Sequence, residues 1–168
     1  LPGLIIVGSH VELSTIQLKN LLGINNCNPI ELDVFEFFKI ISSENIQKKS
    51  NLFKNKFLKE IRFSFETGKT PVLFTSRKFM SLGYSEQFNF CNSLANFIAE
   101  LVADLKYEIG YLISKGGITT NVILSNGLDA DYVFLEGQIL TGISVVTYNL
   151  KKDHKLPIVT HPGNIGNK

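Results

Sequence analysis

An α/β fold, built on a mostly parallel, mixed sheet with helices on both faces and a β-rich C-terminal third, is what this sequence predicts. Three observations predict it. Short β-branched runs alternate with helix-length apolar stripes through the first two thirds of the chain, the joints carry glycine, and no helix-length pattern survives beyond Asp131. Strands alternating with helices require crossovers that cover both faces of a parallel sheet, and the closing run of short strands adds edge strands, some of them antiparallel.

The elements follow in order. Leu4 to Gly8 is a β-branched run and gives the first strand. Ser14 and Gln17 stand three apart ahead of Leu18, Leu21 and Leu22, a spacing that fits a capping box opening a helix, with Gly23 near its end. Ile30 to Val34 reads as a second strand, and the stretch from Phe35 to about Phe65 carries apolar residues at helical spacing before Gly68 closes it. Pro71 to Thr75 is a compact third strand. Phe90, Leu94, Phe97, Ile98, Leu101, Val102 and Leu105 form the clearest helical stripe and the longest expected helix. Tyr111 to Ser114 is the next strand, followed by the turn Lys115-Gly116-Gly117 and a short helix from Thr119 to Leu124, ended by Gly127. The remaining strands are Tyr132 to Leu135, Ile143 to Tyr148 and Ile158 to Thr160, with a polar link from Lys151 to Lys155.

Composition narrows the class. At 168 residues and 44% apolar content the chain can bury one core, so residues 1–168 read as a single domain. The net charge of +2 is small, and its lysines are dispersed with only short groups such as Lys48-Lys49 and Lys151-Lys152, which excludes a nucleic-acid-binding profile. No apolar stretch approaches the roughly 20 residues of a membrane span. The opening Leu1-Pro2-Gly3 lacks an initiator Met, a basic start and a cleavage site, and reads as the interior of a longer protein. Cys27 and Cys91 belong to no CxxC pair or Cys/His cluster; reduced thiols in a cytoplasmic protein, and no metal ligands, are the expectation.

Candidate chemistry gathers in the loops that follow strands. Ile113-Ser114-Lys115-Gly116-Gly117-Ile118-Thr119-Thr120 runs from a strand through two glycines into a helix start, and successive backbone N–H groups beside a helix dipole suit a phosphate. Lys115 adds a point charge and Thr119 or Thr120 a hydroxyl; a plain tight turn is the alternative. The segment is neither a Walker A loop nor a GxGxxG fingerprint. His161-Pro162-Gly163-Asn164-Ile165-Gly166 allows close backbone approach to a ligand or is a simple turn. Gly8-Ser9-His10, Thr75-Ser76-Arg77 with a side chain able to reach phosphate, and a loop at Gly137-Gln138 with Gly142 complete the set. A doubly wound sheet would bring such ends to one edge. A hydrolase triad is disfavoured, since Ser9-His10 lacks a GxSxG elbow and a third orienting group, and Asp33 reads as a cap or ion-pair partner.

Read together and in order, Val7-Gly8-Ser9-His10, Gln17-Leu18, Glu31-Leu32-Asp33-Val34, Thr75-Ser76-Arg77, Lys115-Gly116-Gly117-Ile118-Thr119, Gly137-Gln138 and Pro162-Gly163-Asn164-Ile165-Gly166 resemble the C-terminal nucleotide-binding domain of the four-carbon acid sugar kinase family. The resemblance implies an ATP-binding half that acts with Mg2+. An absent N-terminal domain would bind the acid sugar, a tetronate or oxo-tetronate, and carry the catalytic groups, so that this chain alone would be inactive. It implies nucleotide contacts at Ser9, Gly116, Gly117, Ile118, Thr119 and Gly163, with Lys115 and Asn164 as helpers. Departures from the family pattern are Thr120 for Ser, Val122 for an Asp, Thr141 for Pro and Asn167 for an acidic residue. The exposed half-cleft should carry an apolar patch and favour self-association. The competing expectation is a nucleotide-sensing or interaction domain that keeps the fold without turnover; a dinucleotide-dependent oxidoreductase lacks its fingerprint.

Overall fold

A computed structural model describes residues 1–78, 81–151 and 154–166. The chain runs β1 (Gly3–Val7), α1 (Glu12–Leu22), β2 (Cys27–Leu32), α2 (Val34–Ile41), α3 (Ile46–Glu66), β3 (Thr70–Thr75), α4 (Tyr84–Leu105), β4 (Tyr111–Lys115) and α5 (Gly117–Val122). A single π-helical turn, Ile123–Gly127, extends α5 before β5 (Phe134–Leu140), β6 (Ile143–Lys151) and β7 (His154–His161). The seven strands form one sheet in the order β2-β3-β1-β4-β7-β6-β5. The first five of that row are parallel, and β6 and β5 are antiparallel additions.

Every residue of β1 is buried, as a central strand covered on both faces requires. Its alternation sends Leu4 and Ile6 into a core shared with α2, α3 and α4, while Ile5 and Val7 join Val72 and Leu18 of α1 on the other face. Helices therefore cover both faces, unequally. The larger core is aromatic: Phe37 lies 5.1 Å from Phe97 and 6.0 Å from Phe90, ring centre to ring centre, and Phe53 lies 4.9 Å from Phe57. Offset and edge contacts of this kind add to what area burial alone contributes.

Several sequence expectations are corrected. Helix α1 begins at Glu12 behind Val11, which makes no side-chain cap, so Ser14 and Gln17 are not a capping box; their hydrogen bonds lie elsewhere. Strand β2 ends at Leu32, and Asp33 caps α2 by accepting from Phe35 N at 2.8 Å and Glu36 N at 3.1 Å. The helical stretch from Phe35 to Phe65 is two helices broken at Ser42 to Asn45, polar residues that favour turns over helix interiors. In place of a polar link, Lys151 ends β6 and pairs with His154, which with Lys155 begins β7; Lys152 and Asp153 lie outside the described residues, as does Asn167. Gly137 and Gln138 sit inside β5 beside a register shift, not in a loop, and only Gly142, at φ 81°, turns the chain between β5 and β6. Among the described residues no helix is long and apolar enough to cross a membrane.

Candidate functional site

Parallel pairing aligns the ends of β1, β3, β4 and β7. Val7 stands beside Phe74 on one side and Lys115 on the other, and Lys115 beside His161. The connection leaving β1 runs toward β2, while that leaving its neighbour β4 runs toward the opposite side of the sheet. Diverging connections open a crevice at the strand ends, the usual ligand position in an open α/β sheet.

Three loops are stitched together there. Gly8 N and Ser9 N both donate to the Lys115 carbonyl, at 3.0 and 3.3 Å, and Gly116 N donates to the His161 carbonyl at 2.9 Å. Glycine is needed where they touch. A Cβ on Gly8 would lie 2.1 Å from Thr119 Oγ1, and one on Gly163 would lie 2.3 Å from Ser9 Oγ. Gly116, at φ 127°, holds a backbone conformation that other residues rarely adopt and passes against Ser9. Gly117 differs from all three, because its Cβ position opens onto empty space. It faces the crevice with Ile118, which is 66% exposed.

Two hollows flank that turn. One, of about 260 Å³, is bounded by Gly8, Ser9, His10, Thr75, the Gly116 to Thr119 turn and an α4 wall of Cys91, Leu94, Ala95 and Ile98. The other, of about 280 Å³, lies between Gly117, Thr120, Asn121 and Leu124 on one side and Thr160, His161 and Pro162 on the other. Both are lined mainly by apolar surface, the first through its helix side and the second with Thr120, Asn121, Thr160 and His161 at its border.

Buried polar bonds hold the frame. Ser114 Oγ and Thr120 Oγ1 lie 2.7 Å apart, fixing the start of α5 to β4. Ser14, fully buried, donates to the Gly163 carbonyl at 2.7 Å, and Gln17 Nε2 donates to the Ile165 carbonyl at 3.2 Å. These two residues, which sequence spacing assigns to a cap, anchor the C-terminal glycine loop to α1. Lys115 is 6% exposed, and its Nζ lies 3.0 Å from His161 Nδ1, 3.1 Å from the Pro162 carbonyl and 3.5 Å from that of Gly163. An ammonium has three N–H donors. The two carbonyls accept from it beside the His161 ring, so Lys115 ties β4 to the loop after β7, and its part in the site is to shape that loop.

Burial pushes the Lys115 ammonium below the ordinary lysine range. It does the same to His161, helped by the neighbouring Lys115 charge against a raising bond to Pro162. His161 Nδ1 lies 2.7 Å from the Pro162 carbonyl, which can only accept, so that contact places the ring proton on Nδ1. His10 is also held below the usual histidine range, first by burial of its ring, and its Nε2 meets the Ser76 carbonyl at 3.1 Å and Thr75 Oγ1 at 3.3 Å. His10 is therefore a neutral strut between β1 and β3.

The residues expected at the site fall into clear groups. Ser9, Gly116, Gly117, Ile118, Thr119 and Gly163 are brought together at one crevice, Lys115 lies immediately behind them, and Asn164 is exposed on the loop beyond Gly163. Gly142 turns at the same edge, close to Ile165, whereas Gly137 and Gln138 lie within the outer strand. Asp33 accepts from Lys78 at 2.7 Å, which holds its carboxyl below the usual range. Among the described residues no three His, Cys, Asp or Glu side chains cluster as a metal site would require.

No curated protein matches the chain. Two solved structures of a domain of unknown function, DUF1537, from Bordetella bronchiseptica, each a domain-swapped dimer with bound citrate, share its fold. They superpose with TM-scores of 0.70 and 0.65 at 18% and 17% identity over 98% of this chain. The chain spans 38% and 36% of the length of those structures. A family described as "Nucleotide-binding C-terminal domain" matches residues 4–168, nearly the full length. The chain belongs to that family of nucleotide-binding C-terminal domains.

Proposed function

We propose that the chain is the ATP-binding half of a two-domain cytoplasmic kinase that phosphorylates a hydroxyl of a four-carbon acid sugar, a tetronate or oxo-tetronate. The observation that carries the reading is the crevice where Ser9, the Gly116 to Thr119 turn and Gly163 meet in a member of a nucleotide-binding family. Phosphoryl transfer asks a protein chiefly for positioning and for donors facing the phosphates. Backbone N–H groups at the start of α5, where Gly117 leaves open space, meet the second need, and the loops stitched around Ser9 meet the first. Lys115 and Ser14 shape the Gly163 loop, and Asn164 lies exposed at its far side as a helper.

ATP chemistry brings Mg2+ with it, and among the described residues the crevice offers no protein-held site for that ion: Asp33, which follows β2, is committed to Lys78 and to capping α2. The metal would come bound to the phosphates, and the acceptor, the catalytic groups and any further ligand would come from a partner domain. Residues 1–168 form the nucleotide unit in this reading, with the self-association of the related domain-swapped dimer extending to this chain.

An ADP-release assay with the acceptor domain present, run across erythronate, threonate and their oxo forms, tests it. Turnover on one of these acids that needs both domains supports the kinase, and ATP binding without turnover on any of them contradicts it. The second reading, a nucleotide sensor without turnover, is favoured by Val122. There an aspartate is expected, and this side chain packs on the apolar core instead.

A further inference from the structure

The strand end nearest the crevice on the β3 side carries an arginine that is half satisfied. Arg77 Nη1 donates to the Ser9 carbonyl, which fixes the guanidinium beside the loop that packs on Gly116 and Gly163. Its Nε and Nη2 are buried and meet no acceptor. Burial lowers its pKa, an effect that the charge of Glu31 opposes without a hydrogen bond between them. The other acid at this edge, Asp33, is held by Lys78.

The backbone that presents Arg77 is pinned. Ser76 N donates to the Leu32 carbonyl at 2.8 Å, Ser76 Oγ accepts from Val34 N at 3.1 Å, and the Ser76 carbonyl meets His10 Nε2 at 3.1 Å. Nε–H and Nη2–H leave a guanidinium along one edge, parallel and spaced to meet two oxygens of a carboxylate or phosphate. Buried donors without partners are rare in folded proteins and ask for a missing partner.

We propose that the Nε–Nη2 edge of Arg77 is an oxyanion site beside the nucleotide crevice, filled by the terminal phosphate of the nucleotide or by the carboxylate of the acid acceptor. It rests on the nucleotide reading above and adds to it the contact that recognises the reacting end. Lysine could supply the charge there but not the two parallel donors.

The test compares the chain with its Arg77→Lys and Arg77→Met variants by titration with ATP, ADP, adenosine, pyrophosphate and threonate. A terminal-phosphate contact predicts that both variants bind ATP and pyrophosphate about tenfold more weakly while adenosine is unmoved. A carboxylate contact predicts the same loss for threonate alone. In the free chain the guanidinium makes one hydrogen bond, Nη1 to the Ser9 carbonyl, so melting temperatures should fall by no more than roughly 2–4 °C. Full rescue by Arg77→Lys would reduce the site to a point charge and overturn the fork. Affinities within twofold of the parent for every probe would overturn it too, leaving a water or nothing on that edge. A melting temperature that falls by more than about 5 °C in both variants would assign Arg77 to packing instead. A parent that binds no nucleotide contradicts the underlying reading, and pyrophosphate and threonate then decide the fork alone, with no binding of either overturning it.

Discussion

Two kinds of glycine stand within a few residues of each other at the crevice, and they predict opposite variant behaviour. Gly117 has open space where a side chain would go, so Gly117→Asp should leave the melting temperature nearly unchanged while its carboxylate repels the phosphates. Gly8→Ala drives a methyl group into Thr119, and Gly8 and Gly163 should lose stability by about 1–3 kcal/mol, the range for forced overpacking. Thermal denaturation beside nucleotide titration separates the two classes. Ser14→Ala removes a buried bond to the Gly163 carbonyl and leaves that acceptor only the 3.5 Å contact with Lys115 Nζ, costing about 1–3 kcal/mol in denaturant unfolding. Its nucleotide affinity should fall as well, because the loop it anchors borders the crevice. The glycines of this site were legible in the sequence as a set of motifs, but Ser14 was not: three-residue spacing before an apolar run describes a capping box and a pair of inward anchors equally well. The difference lies in where a loop almost 150 residues away comes to rest. His10 and His161 add a pH signature. Both titrate below the ordinary value of 6.5 in the folded chain, so the unfolded chain binds protons first, and their contribution to stability is complete above that value and lost as pH falls through it toward the folded values. Melting temperature should therefore decline between about pH 6.5 and pH 5, and a His10→Gln, His161→Gln double variant should show a flatter profile relative to its own value at neutral pH.

Among the elements, the crevice owes its shape to helices that never touch a ligand in this account. Phe37 of α2, 2% exposed, is the hub on which Phe53, Phe90 and Phe97 from α3 and α4 converge. Truncation by Phe37→Ala should cost about 3–5 kcal/mol in denaturant unfolding and loosen the α4 wall of the crevice. Periodicity marked the long helices because their stripes are wide and apolar. It ran α2 and α3 together, since Ser42 to Asn45 interrupts the pattern for only one turn's length. It also places Leu94 and Ile98 on the apolar stripe, which is sound for most of their surface: with Cys91 and Ala95 they form one i, i+3, i+4, i+7 face that packs on the core and, past the strand ends, lines the hollow. The pairing of β6 with β7 is not legible at Lys151 and His154 because polar residues at a strand end carry no alternation.

For the whole molecule, the sheet order explains why scattered motifs work as one site: β1 lies between β3 and β4, so loops at residues 8, 77, 116 and 163 share an edge despite their distance in sequence. Strand order is a non-local property, and only the alternation that makes it possible can be read from residues. At the opposite side β5 is an outer strand with Phe134, Leu135, Ile139 and Leu140 between 49% and 70% exposed. An open apolar edge of this kind invites pairing with another chain. Light scattering should show a mass that rises with concentration and a Leu135→Lys, Ile139→Lys variant that stays monomeric; a parent that stays monomeric throughout would count against self-association. The central claim, that this edge is a nucleotide site, is tested most directly by calorimetric titration of the chain and its Gly117→Asp variant with ATP and ADP in the presence of Mg2+. The parent should bind both nucleotides saturably, with at least a tenfold loss, about 1.4 kcal/mol, in a variant that melts as the parent does. Equal binding by both would contradict it.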